Sequence, residues 1–296
     1  MTLEILARKV DRYINPHWKN GASLATGLPN LSVQRNAVPT KPEAYLGTPS
    51  ICLILQGQKT TTAAGMTVKS GAGQSQILSH ALFSTNNITV ADEKTPYLAL
   101  NLTLDLTVMR GLYDQIGDTV FDQTDGTALA VANTDDALID ALGRYLSLTT
   151  APWEVDVMAP LLLREIHFRL LMAPHGGMLR QLLIRDSQAS RVARVIARIR
   201  QGFRNPLNMA EMAKVAGMSD SAFYANFKTI TGTTPLQYQK DLRLFEARRL
   251  ITNGGSAVAA AARSVGYDSA TQFSREYARK FGASPRSFIG GMRVSA

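Results

Sequence analysis

Cysteine is almost missing from this 296-residue chain, with Cys52 its single example. One thiol excludes an internal disulfide framework and any zinc site built on several cysteines. Histidine is scarce too. The four, His17, His80, His167 and His175, fall far apart in the sequence, so no close set of metal ligands is expected. Long apolar runs are absent, and nothing approaches the ~20 residues that span a bilayer. The first twenty residues hold Glu4 and Asp11 among their bases and no continuous apolar stretch, so they do not read as a signal peptide. A cytoplasmic protein without a membrane partner is expected. Negative charge is what the last third lacks. From Asp186 onward there are 17 Lys and Arg against 7 Asp and Glu, a net +10, whereas the preceding residues hold 15 against 16, a net −1. A basic surface serving only solubility would be spread evenly. Confinement to one region points to a polyanionic partner.

What is present suits two domains, and the 45% hydrophobic share can fill substantial cores. Residues 1 to about 20 show helical spacing, with Leu3, Leu6, Val10, Tyr13 and Ile14 on one face. From about Leu31 to Leu106, short β-rich runs (Ile51–Leu55, Ile77–Leu78, Ile88–Val90, Tyr97–Leu104) alternate with glycine and asparagine turns, the texture of an antiparallel sheet or barrel. Helices are predicted at Thr107–Ile116, Asp135–Leu148 and Val157–Leu171. The last of these is apolar on nearly every side and is expected to lie buried between neighbours. From Ser190 the chain is helical and basic, with regular Gly and Pro breaks.

Those breaks mark a repeat. Ala213–Gly217 matches Ala262–Gly266, and Phe223, Phe227, Gly232 and Pro235 match Phe273, Tyr277, Gly282 and Pro285, with one residue added in the second turn. Each copy reads as a short alanine-rich helix, a glycine, a tight turn, and a helix with aromatics at i and i+4, the layout of a helix-turn-helix. Alanine permits a close crossing, and Gly217 and Gly266 can take the left-handed conformation that ends the first helix. Ser219, and Asp268 or Ser269, can cap the second helix. With the aromatics turned inwards, the opposite face stays polar. One such copy is common in helical bundles; two in register within the basic region single out a DNA-binding unit.

On these residues, the segment from about Val192 to Met292 resembles the DNA-binding domain of the AraC/XylS family of transcription regulators. The resemblance is carried by the pattern Leu242-Arg243-x-x-x-Ala247-Arg248-x-Leu250 and by Val265-Gly266-Tyr267 through Phe281-Gly282-x-x-Pro285. It implies two helix-turn-helix units joined by one long helix and set in successive major grooves, roughly 34–36 Å apart. Carried over by position, Ser221, Tyr224 and Ala225 read bases from the first recognition helix, which runs from about Ser219 to Thr231. Ala270, Thr271, Ser274 and Arg275 read them from the second. Arg275 is the best single reader, because a guanidinium can grip guanine O6 and N7 together, whereas Ala225 offers only apolar contact. Lys228, Arg243 and Arg279 are expected on phosphates. For Arg243 the alternative is a salt bridge inside the domain.

The earlier part resembles, more loosely, the N-terminal domain of one AraC subgroup. The matching stretches are Thr48–Lys59, Leu161–Leu171 and His175–Gln181. This implies an α+β protein: a cupin-like β-barrel for sensing an effector (residues 1–125), a helical dimerisation or linker segment (126–186), and an all-α double helix-turn-helix domain (187–296). Its partners would be double-stranded DNA, RNA polymerase, an unknown small-molecule effector and a second copy of the chain, near the nucleoid. His80 and Cys52 are the candidate effector-pocket residues. Both have a plainer reading as core side chains, and Cys52 has no basic neighbour beside it in its strand; a redox- or aldehyde-sensing Cys52 is the remaining alternative. The rival reading is a cupin-type enzyme with an accessory DNA-binding domain. Metal-dependent cupins place two histidines around one residue, then a glutamate and a distant histidine, and this sequence lacks that set. No catalytic residue, metal or cofactor is therefore expected.

Overall fold

A computed structural model describes residues 1–15, 23–117, 126–254 and 257–287. The chain divides into two compact units, Met1–Glu43 with Gly47–Ser190, and Ala44–Leu46 with Arg191–Ala296.

The first unit opens on α1 (Leu3–Ile14), whose start is capped by the Thr2 side chain accepting from the Ile5 amide. Its residues Leu6, Val10 and Ile14 recur at helical spacing and are buried. Ten strands follow among the described residues: β1 (Ser23–Ala25), β2 (Leu31–Asn36), β3 (Glu43–Leu46, of which Ala44–Leu46 group with the second unit), β4 (Ser50–Gln56), β5 (Gln58–Ala63), β6 (Met66–Gly71), β7 (Gln74–Leu78), β8 (Phe83–Val90), β9 (Tyr97–Thr103) and, after α2 (Leu106–Ile116), β10 (Leu129–Asn133). They form two sheets rather than one closed barrel, six strands in the order β1-β2-β9-β4-β7-β10 and four in the order β3-β8-β5-β6.

Strand β4 shows how one apolar run serves two cores. Side chains alternate across a strand. Ile51, Leu53 and Leu55 join Leu6, Val10, Leu98 and Leu100 in a core shared with the helices, while Cys52 and Ile54 join Ile88, Tyr97 and Ala99 on the opposite face. The chain then passes from the six-stranded sheet into the four-stranded one at Gly57. Its φ is +78°, and a Cβ there would stand 2.5 Å from the Val90 carbonyl oxygen. Only glycine fits that corner.

Helices α2, α3 (Asp136–Ser147), α4 (Val155–Met172) and α5 (Gly177–Leu183) complete the unit. Asp105 and Asp135 cap α2 and α3 by accepting from amides of the first turn. The expectation that α4 is buried on all sides needs correction. Ala159, Leu162, Ile166, Leu170 and Leu171 are buried, but Val157, Leu161, Phe168 and Met172 are exposed, as is Trp153 just before the helix, at 78%. An apolar helix face is therefore left in solvent.

The second unit is helical: α6 (Gln188–Gly202, whose first three residues still belong to the first unit), α7 (Met209–Ala216), α8 (Asp220–Thr231), α9 (Pro235–Gly254), α10 (Val258–Ser264) and α11 (Ala270–Phe281). Its aromatics stack inwards. Phe227 meets Phe223 and Tyr238 edge-on, both at 5.8 Å between ring centroids. In the second copy Phe273 meets Tyr267 at 5.3 Å and Tyr277 at 5.5 Å.

Candidate nucleic-acid interface

Helix α7 starts on an Asn208 cap and ends at Gly217, in the left-handed conformation at φ 62°, ψ 41°. Ser219 caps α8 by accepting from the Ala222 amide. Phe223 and Phe227 then point into the core, which leaves Ser221, Tyr224, Ala225 and Lys228 exposed on the outer face. The second copy repeats this frame. Gly266 has φ +90°, and Ser269 rather than Asp268 caps α11 by accepting from the Gln272 amide at 3.2 Å. Phe273 and Tyr277 are fully buried, while Ala270, Thr271, Arg275 and Arg279 are exposed. Ser274 is half-buried and its hydroxyl donates to the Ala270 carbonyl at 2.9 Å, so part of its hydrogen-bonding capacity is already used. Arg275 forms no ion pair or hydrogen bond with the described residues. Lys280, by contrast, is tied to Asp241 of α9 at 2.6 Å.

Arg243 is placed otherwise than expected. Its guanidinium donates to four backbone carbonyls: Phe203 (2.8 Å), Gly266 (2.9 Å), Arg204 (3.0 Å) and Asn205 (3.2 Å). One turn earlier on α9, buried Gln239 donates to the carbonyls of Phe203 and Asn205. The partners are carbonyls, neither a phosphate nor the carboxylate of a salt bridge. A rigid five-donor fork suits this task. It holds the loop leading into the first copy against the turn of the second. Gly266 is the other half of this joint, since a Cβ there would collide with the Arg204 carbonyl oxygen. No local sequence signal announces the clamp, because its partners are backbone atoms 23 to 40 residues away.

In the first unit His80 is buried with both ring nitrogens engaged, Nδ1 with the Ser79 hydroxyl at 2.8 Å and Nε2 with the Ala189 carbonyl at 3.2 Å. Burial lowers its pKa to about 4, so it is neutral at pH 7. Cys52 does have a basic neighbour, contrary to expectation. Lys59 lies seven residues on, beyond the Gly57 corner, and its Nζ donates to Sγ at 3.0 Å. The sequence could not show this, because the contact depends on the chain changing sheets. His80 and Cys52 thus have separate partners. A cavity of about 370 Å³ lies elsewhere, lined by Lys9, Arg12, Tyr13, Leu146 and Ser147 among others. Among the described residues, no three His, Cys, Asp or Glu side chains are grouped to hold a metal, and no helix is long and apolar enough to cross a membrane.

Paired helix-turn-helix units on one long helix, preceded by a β-rich unit, define a class of transcription regulator. A sequence profile of the AraC-type transcriptional regulator N-terminus matches residues 27–178, and a helix-turn-helix domain profile matches residues 212–290. The chain belongs to the AraC/XylS family of transcriptional regulators. The probable transcriptional regulator LumQ of Photobacterium leiognathi is 34% identical over 90 residues, 30% of this chain and 36% of LumQ. The chain spans about a third of the length of such curated relatives. The thermoregulatory protein LcrF of Yersinia pestis is 20% identical over 237 residues, 79% of this chain and 86% of LcrF. The fold is similar to that of ToxT from Vibrio cholerae in its unsaturated fatty acid bound structure, with TM-score 0.55, 12% identity, and coverage of 92% of this chain and 96% of that one.

Proposed function

We propose that the chain is a cytoplasmic, sequence-specific DNA-binding regulator. On this reading α8 and α11 enter successive major grooves, and a small effector bound to the N-terminal unit shifts the protein between states of different DNA affinity. An effector acts this way only through differential affinity for the two states. The observation carrying the DNA reading is the pair of capped helices with buried aromatics behind and exposed polar faces in front, Arg275 unengaged on one of them. Arg275 and Tyr224 are the principal base readers, with Ser221, Ala225, Ala270, Thr271 and Ser274 beside them, and Lys228 and Arg279 rest on phosphates. Selection of sites from a random duplex pool, followed by competition with random DNA at fixed salt, tests this. An enriched motif with two half-sites is the expected result. Equal affinity for all duplexes would leave an architectural binder instead.

The cavity that sets Lys9 and Arg12 beside Tyr13 and Leu146 supports an effector with one negative charge on an apolar body. The fatty acid named with ToxT is of that chemistry. The solvent-facing stripe of Val157, Leu161, Phe168 and Met172, with Trp153, supports a homodimer through α4, since contiguous exposed apolar patches mark interaction surfaces. Sedimentation at micromolar concentration checks it, a dimer being expected for the native chain and a monomer for Leu161→Glu. Contact with RNA polymerase belongs to the same reading. LumQ is named a probable transcriptional regulator and LcrF a thermoregulatory protein, which lends no support to the enzyme alternative.

A further inference from the structure

The interior of the first unit holds a pair of side chains that the DNA reading does not use. Lys59 and Cys52 are only 6% and 7% exposed. The lysine makes no other side-chain hydrogen bond or ion pair with the described residues, so the sulfur is its sole side-chain partner. Around them lie Ile54, Ile88, Tyr97 and Ala99, with the Tyr97 hydroxyl 4.0 Å from Sγ. Burying an ammonium without a carboxylate is costly, and a lysine normally extends its head to water. A leucine or methionine would fill this space without that cost. The pair joins a nucleophile to an amine in direct contact, across a corner that Gly57 fixes.

We propose that Cys52 and Lys59 form a covalent oxidation site, in which a hydroperoxide converts the pair into a sulfur–nitrogen cross-link between β4 and β5. In the ionic form of the pair a thiolate faces an ammonium, and the thiolate is the nucleophile. Sulfur attacks one peroxide oxygen, the O–O bond breaks, and the departing hydroxide takes a proton from the Lys59 ammonium to leave as water. Cys52 is then a sulfenic acid, and the same step has made the amine neutral. A sulfenic acid condenses with a nearby nitrogen. The Lys59 nitrogen attacks sulfur, the S–O bond breaks, and hydroxide leaves with a nitrogen-bound proton as a second water. In sum, thiol, amine and hydrogen peroxide give one S–N bond and two waters. An added thiol reverses the bridge by attacking sulfur and returning the amine. Closing the bridge also spares the sulfur from irreversible oxidation. The proposal stands apart from DNA binding, and either can fail alone.

The test treats the reduced full-length chain with a small molar excess of hydrogen peroxide and reads intact and tryptic masses. The expected product is lighter by two hydrogens, loses tryptic cleavage after Lys59, and regains both mass and cleavage with dithiothreitol. With one cysteine per chain, an intramolecular disulfide cannot mimic it, and a denaturing gel separates any disulfide between chains. Lys59→Arg keeps the charge but should yield Cys52 carrying added oxygens and no bridge. The wild-type map decides alone if that variant does not fold. Wild-type Cys52 left unmodified, or carrying oxygens while cleavage after Lys59 persists, overturns the proposal.

Discussion

The two units differ in what they bury. The first encloses His80, His167, His175, Lys59, Cys52 and Arg180 alongside its apolar core. The second contains no histidine or cysteine from Arg191 onward, and its largest buried side chains are the aromatics Phe223, Phe227, Tyr238, Phe273 and Tyr277. Buried histidine, cysteine and lysine are thus confined to the first unit, whereas the buried charge of the second is Asp241, paired with Lys280. On the proposed reading, a regulator divided this way registers a chemical change in one place and keeps its DNA-facing geometry constant in the other.

Acid should expose that division most strongly. Burial lowers the pKa of His80 and of His175 to about 4 from an ordinary 6.5. The unfolded chain therefore binds more protons between those values. Stability from these groups is complete above pH 6.5 and is lost as pH falls towards 4, by roughly 3 kcal/mol for His80 alone. In the second unit the Arg249 hydrogen bond holds the Glu246 carboxyl below its ordinary value, so its contribution is lost only at lower pH. Hydrogen exchange at pH 7 and pH 5 should show protection falling in the first unit and holding in the second. Parallel loss in both would break the comparison.

Within the second unit the two turns should also part. At Gly266 the backbone of Arg204 stands in the way of a Cβ, whereas at Gly217 only the flexible Arg191 guanidinium is near, at 3.2 Å. Gly266→Ala should cost more than about 3 kcal/mol, and Gly217→Ala about 1 kcal/mol, the left-handed penalty alone. Denaturant titration of both variants measures the gap, and equal losses would mean that the second turn is not keyed to Arg204. Smaller effects concern the outer faces. Arg275→Ala should weaken the selected site by about 1–3 kcal/mol and relax one base position, read by binding to a panel of single-base variants. Loss by the same factor on every duplex would make Arg275 a phosphate contact. Lys228→Ala should weaken all sequences alike and lower the salt slope by about one; an unchanged slope removes it from the interface.

The helix-turn-helix pair was legible because its signals are local: glycine at a left-handed turn, serine at a cap, aromatics at i and i+4, then the same again. Strands β4 and β9 were equally plain as apolar runs. Strand β5 was not, since Gln58–Ala63 is mostly Thr and Lys with a single buried face, and β10 stands apart from the others beyond a helix, where it pairs with β7. The stripe on α4 escaped because composition tells which residues are apolar but not which face a neighbour covers. The Arg243 clamp and the Lys59–Cys52 contact were hidden for one shared reason. Their partners, backbone carbonyls and a sulfur, are brought near only by the fold.

The Arg243 clamp has a consequence for the DNA. Four carbonyl bonds from one guanidinium, with Gln239 beside it, leave the joint between the two copies little play. In the proposed complex, any mismatch between the span of α8 and α11 and the pitch of straight duplex then falls on the softer body, the nucleic acid. Bending is cheaper at flexible pyrimidine–purine steps than in stiff A-tracts. The base pairs between the two half-sites, touched by no side chain, would therefore be selected by how readily they curve.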